Sequence, residues 1–368
     1  MADRISGQIR IGIIGAGLIG QTHSMMLRQI ADRTEQSVRV VAVADAVHAE
    51  AEKLESRWPG ARALASAQQI LDDASIHAVW ICTPTAMHRE VCIAAARAGK
   101  HIFCEKPLAM SAAEAIEMRN AIEAAGVVSQ VGLVLRFSPV YTVMKALIAA
   151  PEAGRVLAAT MRDDQDFPIR GVHASGWRND PSLTAGGTLI EHSVHDFDLF
   201  TWMFGPVSRL YCRTRNRRGA TGVEDFGTTD FEFAAGFDAH LVSIWHNMIG
   251  RSSNRRIEVF CENLFIASDF DATGTITIQR GANAADEVIA EAEVKRRFEE
   301  IIRAERPYLA PFLDARAVPY ALEDAVFIAA LRGDAEPYPE FDAGVRVQRL
   351  VEAAYESARL ALPIEIQS

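Results

Sequence analysis

The residue of this sequence with the clearest capacity for chemistry is Lys106, in the motif Glu105-Lys106-Pro107. It follows the apolar run His101–Cys104, which is predicted to be a buried strand. Parallel sheets bind ligands in the crevice beyond the carboxyl ends of their strands. A lysine that is partly desolvated there can titrate near neutrality and exchange a proton with a carbonyl or a hydroxyl group. The alternative is an exposed ion pair between Lys106 and Glu105.

A glycine-rich turn, GAGLIG at residues 15–20, follows the β-branched run Arg10–Ile14 and begins a helical pattern. In this context Gly15 permits the tight turn, Gly17 lets the backbone approach a pyrophosphate, and Gly20 packs the helix against the strand. The free N–H groups at the start of the helix then bind the phosphates. A turn without a ligand is the alternative. The residues predicted to bind a dinucleotide here are Gly15, Gly17, Leu18, Ile19 and Gly20.

Other predicted strand ends carry further candidate ligands. Asp45 ends the run Val38–Ala44, where a carboxylate accepts hydrogen bonds from a ribose diol and repels a 2′-phosphate. No Arg or Lys follows directly, so the sequence favours NAD over NADP; a solvated turn aspartate is the alternative. Thr83, Pro84 and His88 are predicted to line the nicotinamide side of the crevice, with a simple turn as the alternative for His88. The cofactor ligands predicted from these strand ends are Asp45, Thr83, Pro84, His88, Glu105 and Lys106.

A second polar group is predicted on a helix spanning Gly187–Phe204. Glu191, His195 and Asp198 fall at i, i+4 and i+7, which is one stripe of an α-helix with apolar flanks. Such a stripe is costly unless it faces a polar cleft or is fully paired. A metal site with His192 is disfavoured, because that side chain points about 100° away from the stripe. The remaining interpretations are a structural network or, preferably, acid/base work and hydroxyl binding.

These residues require elements that place them at one edge of a sheet. In the first third of the chain, strand-like runs alternate with helical patterns, which indicates right-handed βαβ units and a parallel sheet. After about Leu135, runs such as His240–His246 alternate with period two, which indicates an antiparallel or mixed sheet. From Asp286 the pattern is helical again. We therefore predict an α/β protein with a dinucleotide-binding domain at 1–134 and a substrate-binding domain at 135–368.

Composition narrows the classes of partner. The chain has 368 residues, 49% of them hydrophobic and 23% charged, as in soluble globular proteins. Its formal charge of -10 argues against nucleic acid or an anionic membrane as a partner. The polar N-terminus does not resemble a signal peptide, and no apolar run is long enough to span a bilayer. The five scattered cysteines predict neither a disulfide framework nor a zinc ribbon, and a reduced, cytoplasmic location fits them best.

Several stretches resemble the Gfo/Idh/MocA oxidoreductase family, and the resemblance covers nearly the whole chain. They are GAGLIG at 15–20, EKP at 105–107, the pattern that runs from Gly186-Gly187 to His195 and Asp198, VGLVLRFSP at 131–139 and the closing YESARLALPIEI. The resemblance implies an N-terminal Rossmann domain with a doubly wound parallel sheet. It also implies a C-terminal α/β domain with a large, mostly antiparallel open sheet that forms a homodimer or homotetramer, and a C-terminal helix that packs back on the first domain.

The resemblance also implies roles for single residues. Lys106 matches a lysine that holds the substrate and assists proton transfer, commonly with a cis peptide bond to the proline that follows. His195 matches the catalytic histidine, and Glu191 stands where the family usually has an aspartate that grips substrate hydroxyls. Trp177 and Arg178 are similar to a pair that reaches the cofactor. The predicted catalytic residues are Lys106, His195 and Glu191, and the predicted substrate ligands are Lys106, Arg178, Glu191 and His195.

The expected activity is hydride transfer between NAD and a hydroxyl or carbonyl group of a sugar, polyol or sugar-derived substrate. His195 is the preferred acceptor of the hydroxyl proton, and Lys106 orients the same oxygen. The alternatives are an NAD-using glycoside hydrolase of the same fold and a nicotinamide-binding sensor without catalysis. Substrate specificity is expected to depend on the loop Asp163–Asp180 and on the helical segment around Arg303–Tyr320. The candidate contacts with hydroxyls or a carboxylate in the loop are Asp163, Asp164, Arg170 and His173.

Overall fold

The computed structural model describes residues 4–168, 175–219, 221–248, 251, 253–271, 273–281 and 283–366. The chain divides into two compact units, each built around its own sheet. Met1–Val134 and Tyr308–Arg346 form the first unit, and Leu135–Pro307 and Val347–Ser368 form the second.

Six parallel strands form the sheet of the first unit. The strands are β1 (Ile9–Ile14), β2 (Val38–Ala44), β3 (Arg62–Leu64), β4 (Ala78–Ile81), β5 (His101–Glu105) and β6 (Ser129–Gly132). The helices between them are α1 (Leu18–Arg33), α2 (His48–Glu55), α3 (Ala67–Leu71), α4 (His88–Arg97) and α5 (Ala112–Ala125). The order β3-β2-β1-β4-β5-β6 reverses between β1 and β4, where doubly wound sheets bind ligands. The predicted parallel Rossmann sheet is therefore confirmed; only the three-residue β3 was missed.

Nine strands form the sheet of the second unit. The strands are β7 (Val156–Asp166), β8 (Val207–Arg215), β9 (Phe226–Phe233), β10 (Asp238–His246), β11 (Asn254–Cys261), β12 (Leu264–Ser268), β13 (Ile276–Arg280), β14 (Glu287–Ile289) and β15 (Ile364–Glu365). The helices before the last two of the chain are α6 (Pro139–Ala149), α7 (Thr188–Glu191), α8 (Val194–Phe204) and α9 (Glu291–Glu305). Neighbouring strands are antiparallel except β7 and β10. The predicted large, mostly antiparallel sheet is confirmed.

The last two helices are α10 (Val318–Arg332) and α11 (Phe341–Leu360). α10 packs against α1, which is why Tyr308–Arg346 belongs to the first unit although the sequence places it in the second domain. Phe327 of α10 meets the indole of Trp80 in β4, with ring centroids 5.2 Å apart, and both side chains are buried. Each buried ring of this size contributes roughly 1.5–3 kcal/mol. None of the helices in the described part of the chain has the length and apolarity needed to cross a membrane.

The predicted continuous helix over Gly187–Phe204 is wrong, because α7 and α8 are separated at His192 and Ser193. The peptide N–H of Ser193 donates to the carbonyl of Thr188, five residues back, instead of continuing the α-helical ladder. The Ser193 hydroxyl also bonds the Ser243 hydroxyl of β10 at 2.6 Å, and Thr188 bonds the same hydroxyl at 2.7 Å. The break between α7 and α8 is therefore accompanied by long-range hydroxyl hydrogen bonds to β10.

Candidate functional site

The glycine turn after β1 has three glycines that the fold uses differently. Gly15 has a φ of +100°, and a Cβ there would lie 2.5 Å from the backbone carbonyl of Cys82. A Cβ at Gly20 would lie 2.1 Å from the carbonyl oxygen of Gly15. A Cβ at Gly17 would meet nothing within 4 Å. Protein packing therefore requires glycine at 15 and 20, whereas Gly17 leaves open space directly before the first turn of α1, where a phosphate would approach.

Asp45 lies at the carboxyl end of β2 and holds this turn in place. One carboxylate oxygen accepts a hydrogen bond from the Ala16 N–H at 2.7 Å, and the other accepts one from the Val47 N–H at 2.8 Å. The side chain is only partly buried. Each oxygen retains acceptor capacity for a ligand hydroxyl. Ribose binding by Asp45 stays a prediction.

Lys106 is half-buried at the carboxyl end of β5, and its peptide bond to Pro107 is cis, as the resemblance implies. His88 contacts this turn: its ring nitrogens lie 2.8 Å from the Pro107 carbonyl oxygen and 2.9 Å from the Thr83 carbonyl oxygen. His88 is buried, and its two contacts link the turn after β4 to the turn after β5. Contacts of Thr83, Pro84 and His88 with a cofactor stay predictions.

The side chain of Glu105, predicted to contact the cofactor, is buried in the first unit. Its side chain is only 7% exposed, and one carboxylate oxygen lies 2.9 Å from the Nε2 of His23 in α1. The other oxygen accepts a hydrogen bond from the Lys106 N–H at 3.1 Å. The sequence predicts Glu105 as a cofactor ligand and does not single out His23. The structure makes Glu105 an internal partner of the backbone that carries Lys106.

Glu191 and the Trp177-Arg178 pair lie together in the second unit. The buried Glu191 carboxylate accepts a hydrogen bond from the Thr184 hydroxyl at 2.8 Å and lies 3.5 Å from the Nε of Arg178. The Arg178 guanidinium stacks over the Trp177 ring, 4.4 Å from its centroid. Glu191 thus holds the Trp177-Arg178 pair, and its binding of substrate hydroxyls stays a prediction.

The polar stripe expected on one helix is distributed over different partners. His195 is 8% exposed near the start of α8, and its peptide N–H donates to the His192 carbonyl. Asp198 forms a buried, bidentate salt bridge with Arg136. The Arg136 Nη2 lies 2.6 Å from one carboxylate oxygen and the Nε lies 2.9 Å from the other. The break before α8 removes the regular i, i+4 relation between Glu191 and His195. Asp198 is structural, and the assignment of His195 as catalytic stays a prediction.

A buried charge cluster beside His195 was missed by the sequence. Arg255 of β11 donates to the Asp196 carboxylate at 2.6 Å and to Asp163 of β7 at 3.4 Å. The Nε2 of His192 lies 3.0 Å from Asp163 and 3.0 Å from an Arg255 nitrogen. A guanidinium so close to His192 opposes metal binding there. The expectation that the protein binds no metal stays a prediction.

Burial and charge set the protonation of this cluster. Burial raises the pKa of Asp196 to about 7; the Arg255 guanidinium opposes this rise and the Asp163 carboxylate adds to it. The pKa of Asp163 is also raised by burial, against the effect of Arg255. Arg255 also pairs with Asp271 at 3.0 Å, so one guanidinium serves three carboxylates, and the buried Asp163–Asp196 pair is expected to share a proton below about pH 7. A dissociable proton therefore lies one residue from His195.

The loop expected to determine specificity is described only in part. Asp163 belongs to the charge cluster, and Asp164 pairs with Arg251 at 2.9 Å, so neither carboxylate is an open hydroxyl ligand. Arg170 and His173, the other candidate contacts, lie outside the described residues.

Comparison with known proteins identifies the family. Residues 9–133 match the profile described as "Oxidoreductase family, NAD-binding Rossmann fold", and residues 141–266 match that of the "GFO/IDH/MocA C-terminal domain". The chain belongs to the Gfo/Idh/MocA family. Its first unit is therefore the NAD-binding domain of an oxidoreductase family.

Relatives in the Gfo/Idh/MocA family align over nearly the whole chain. The uncharacterized oxidoreductase YrbE of Bacillus subtilis (strain 168) is 28% identical over 98% of this chain and 97% of its own. An inositol 2-dehydrogenase of Rhizobium meliloti (strain 1021) is 29% identical over 95% of this chain and 96% of its own. The solved structure of levoglucosan dehydrogenase in complex with NADH and levoglucosan has a TM-score of 0.84, with 22% identity over 98% of this chain and 99% of that one.

Substituting the turn glycines should separate folding from cofactor binding in this Gfo/Idh/MocA protein. Gly20→Ala should lower the free energy of unfolding by about 1–3 kcal/mol, because its Cβ collides with the Gly15 carbonyl. Gly17→Ala should leave stability within about 0.5 kcal/mol and weaken NAD binding at least about tenfold. Urea unfolding and NAD titration measure the two effects. Unchanged NAD affinity in Gly17→Ala would show that no phosphate approaches this backbone.

The Asp196 carboxyl should make stability depend on pH. Its pKa of about 7 in the folded protein is above the ordinary 3.8, so the folded state binds a proton that the unfolded state lacks between these values. The resulting stabilisation is present at low pH and is lost as the pH rises through about 7. From pH 5 to pH 8, the free energy of unfolding of the wild type should fall by at least about 1.4 kcal/mol more than that of Asp196→Asn.

Urea unfolding at the two pH values measures this change, with Asp32→Asn as the control at a side chain 52% exposed. Parallel pH dependence of the wild type and Asp196→Asn would contradict the assignment of a neutral carboxyl.

Proposed function

We propose that this protein is an NAD-dependent dehydrogenase or reductase that transfers a hydride between nicotinamide and a CH–OH or C=O group of a sugar, polyol or sugar-derived substrate. The observation that carries the proposal is the position of Lys106. It lies at the carboxyl end of β5, at the same sheet edge as the glycine turn after β1. Ligands of doubly wound sheets bind at this edge.

The cofactor proposed is NAD rather than NADP. The open space at Gly17 and the free N–H groups that begin α1 fit a pyrophosphate, and the partly exposed Asp45 fits an unphosphorylated ribose. The levoglucosan dehydrogenase of similar fold is in complex with NADH. Bound NAD supplies the hydride chemistry; the protein supplies binding, orientation and proton transfer.

Lys106 and His195 are proposed to divide the proton chemistry. His195 accepts the proton of the substrate hydroxyl as the carbon is oxidised, and Lys106 holds the same oxygen and stabilises the charge that develops on it. In the reverse direction His195 returns the proton. The acid/base step contributes typically about 10²- to 10⁴-fold in rate. Glu191 is proposed to place Arg178 against the substrate through their 3.5 Å contact.

The substrate class follows from the proposed chemistry and from what the relatives are called. An inositol 2-dehydrogenase and a levoglucosan dehydrogenase act on polyhydroxylated rings, according to their names. We propose a polyhydroxylated ring as the substrate of the present protein. We also propose that the protein acts as a homodimer or homotetramer in the cytoplasm. All five cysteines are free and buried, which is compatible with a reducing compartment.

The decisive measurement is a dehydrogenase screen of polyols, aldoses and sugar acids with NAD and NADP side by side, followed by Lys106→Ala on the best substrate. We expect turnover to fall at least about 10²-fold while NAD still binds. Lys53→Ala is the control, since that side chain is 59% exposed on α2. Normal turnover in Lys106→Ala would remove Lys106 from the mechanism. Net turnover without NADH release would favour the glycoside hydrolase, and tight NAD binding without any turnover would favour the sensor.

Replacing Asp45 should relax the choice of cofactor. Asp45→Asn keeps an acceptor for the Ala16 N–H but removes the negative charge that would repel a 2′-phosphate. We expect the ratio of kcat/KM for NAD to that for NADP to fall at least about tenfold, or 1.4 kcal/mol. Steady-state kinetics with both cofactors measure the ratio. An unchanged ratio would show that another group discriminates between them.

A further inference from the structure

His23 is enclosed between two carboxylates in the interior of the first unit. Its Nδ1 lies 2.8 Å from Asp324 of α10, and its Nε2 lies 2.9 Å from Glu105 of β5. The side chains of His23 and Asp324 are fully buried. An ionised carboxylate only accepts hydrogen bonds, so two such contacts require a proton on each ring nitrogen. The ring that satisfies both is an imidazolium.

We propose that His23 is a buried imidazolium that positions Lys106 for the reaction proposed above, acting through Glu105. His23 is a positioning residue in this assignment, because its partners are Glu105 and Asp324 and not the substrate. The inference rests on the proposed function for its kinetic consequences, whereas the charge on His23 can be tested independently.

Glu105 transmits the effect of His23 to the lysine by two routes. Its second carboxylate oxygen accepts the Lys106 N–H, which fixes the backbone from which the lysine side chain extends. Its charge also interacts with the Lys106 ammonium. The carboxylate lies against β6, where a Cβ at Gly132 would come within 2.8 Å of it. With His23 on one side and the Gly132 backbone on the other, the Glu105 side chain has little freedom to move.

Asp324 anchors the other side of the imidazolium. The carboxylate oxygen that bonds His23 also accepts a hydrogen bond from the Trp80 indole N–H at 2.9 Å. The ring of His23 packs edge-on against Phe103, with centroids 4.8 Å apart. His23 lies on α1, the helix that begins at the glycine turn. One charged ring therefore connects the helix of the predicted pyrophosphate site, the strand that carries Lys106 and α10.

The electrostatic balance agrees with a charged ring. Burial lowers the pKa of His23, but the charges and hydrogen bonds of Asp324 and Glu105 outweigh burial and raise this pKa well above its ordinary value. Burial likewise favours a neutral Glu105, yet the bond and charge of His23 and the Lys106 ammonium lower the pKa of that carboxyl. Glu323 of α10 also faces the group, and Cys82 lies beside it with a raised pKa caused by burial and the three carboxylates.

The alternative to a proton on His23 is a metal ion bound between His23 and the neighbouring carboxylates. Ligand atoms of His23, Glu105 and Glu323 lie within 4.8 Å of one another. A metal would need the lone pair of a ring nitrogen, whereas the contacts with Glu105 and Asp324 place a proton on each nitrogen. The two assignments therefore predict opposite states for the same atoms.

The charge on His23 can be measured in the intact wild-type protein. With all ten histidines labelled with ¹⁵N, we expect the ring nitrogens of His23 to stay doubly protonated well above pH 6.5, the ordinary pKa of histidine. Loss of that signal in His23→Asn assigns it; if this variant does not fold, its loss in Asp324→Asn serves instead. A ring that deprotonates near pH 6.5, or a stoichiometric divalent metal found by elemental analysis, would overturn the inference.

The positioning role is tested by kinetics on the substrate found in the screen. His23→Asn and Glu105→Gln should each lower kcat by about 10- to 100-fold while the NAD dissociation constant stays within about threefold. The pH-profile limb due to Lys106 should move down in both variants, because Glu105→Gln removes the negative charge beside the ammonium and His23→Asn removes the cation that keeps the buried Glu105 ionised. The double variant should be no worse than the poorer single variant. His48→Asn, at a side chain 53% exposed on α2, is the control.

Additive losses in the double variant, or an unmoved pH limb, would reduce His23 to a packing role and overturn the proposal. A wild-type protein with no redox turnover would contradict the proposed function instead, and the charge measurement would still decide the state of His23.

Discussion

Buried carboxylates are present in both units of this protein, and their compensation by nearby cations and N–H donors is the interaction on which the site architecture depends. An uncompensated carboxylate in the interior costs several kcal/mol, whereas one with well-placed donors is tolerated. Glu105 has His23, and Asp198 has Arg136. Glu224 is held by the backbone N–H groups of Gly187 and Leu189, which fixes the start of α7. Each of these acids therefore determines where a segment near the candidate site lies.

The two units solve this electrostatic problem in different ways. In the first unit, the carboxylates of Glu105 and Asp324 both contact the proposed His23 imidazolium. In the second unit, Arg255 is shared among Asp163, Asp196 and Asp271, and burial raises the pKa of Asp196 to about 7. The first arrangement is expected to keep its charge through neutral pH, because the pKa of His23 is raised well above its ordinary value. The second changes its charge near neutrality, close to the residue proposed to accept the substrate proton.

Local patterns in the sequence were sufficient to predict the Rossmann sheet, the glycine turn and the position of Lys106. Each of these depends on residues adjacent in the chain, and a strand–turn–helix pattern carries its own geometry. The break between α7 and α8 was not predictable in this way, because Ser193 is drawn out of the helix by Ser243, fifty residues later. The partners of His23 were missed for the same reason, since Glu105 is separated from it by 82 positions and Asp324 by 301. Spacing on an ideal helix singled out Asp198 and missed Asp196, whose pKa burial raises to about 7.

The contrast among the three turn glycines has a consequence for how this protein can change over generations. Side chains at positions 15 and 20 are excluded by the surrounding backbone, so selection for a folded chain alone preserves those glycines. Position 17 faces open space and carries no such constraint. A lineage that no longer needs the nucleotide is thus free to drift at this one position and keep its fold. Among descendants, the residue at position 17 distinguishes a retained scaffold from a retained enzyme.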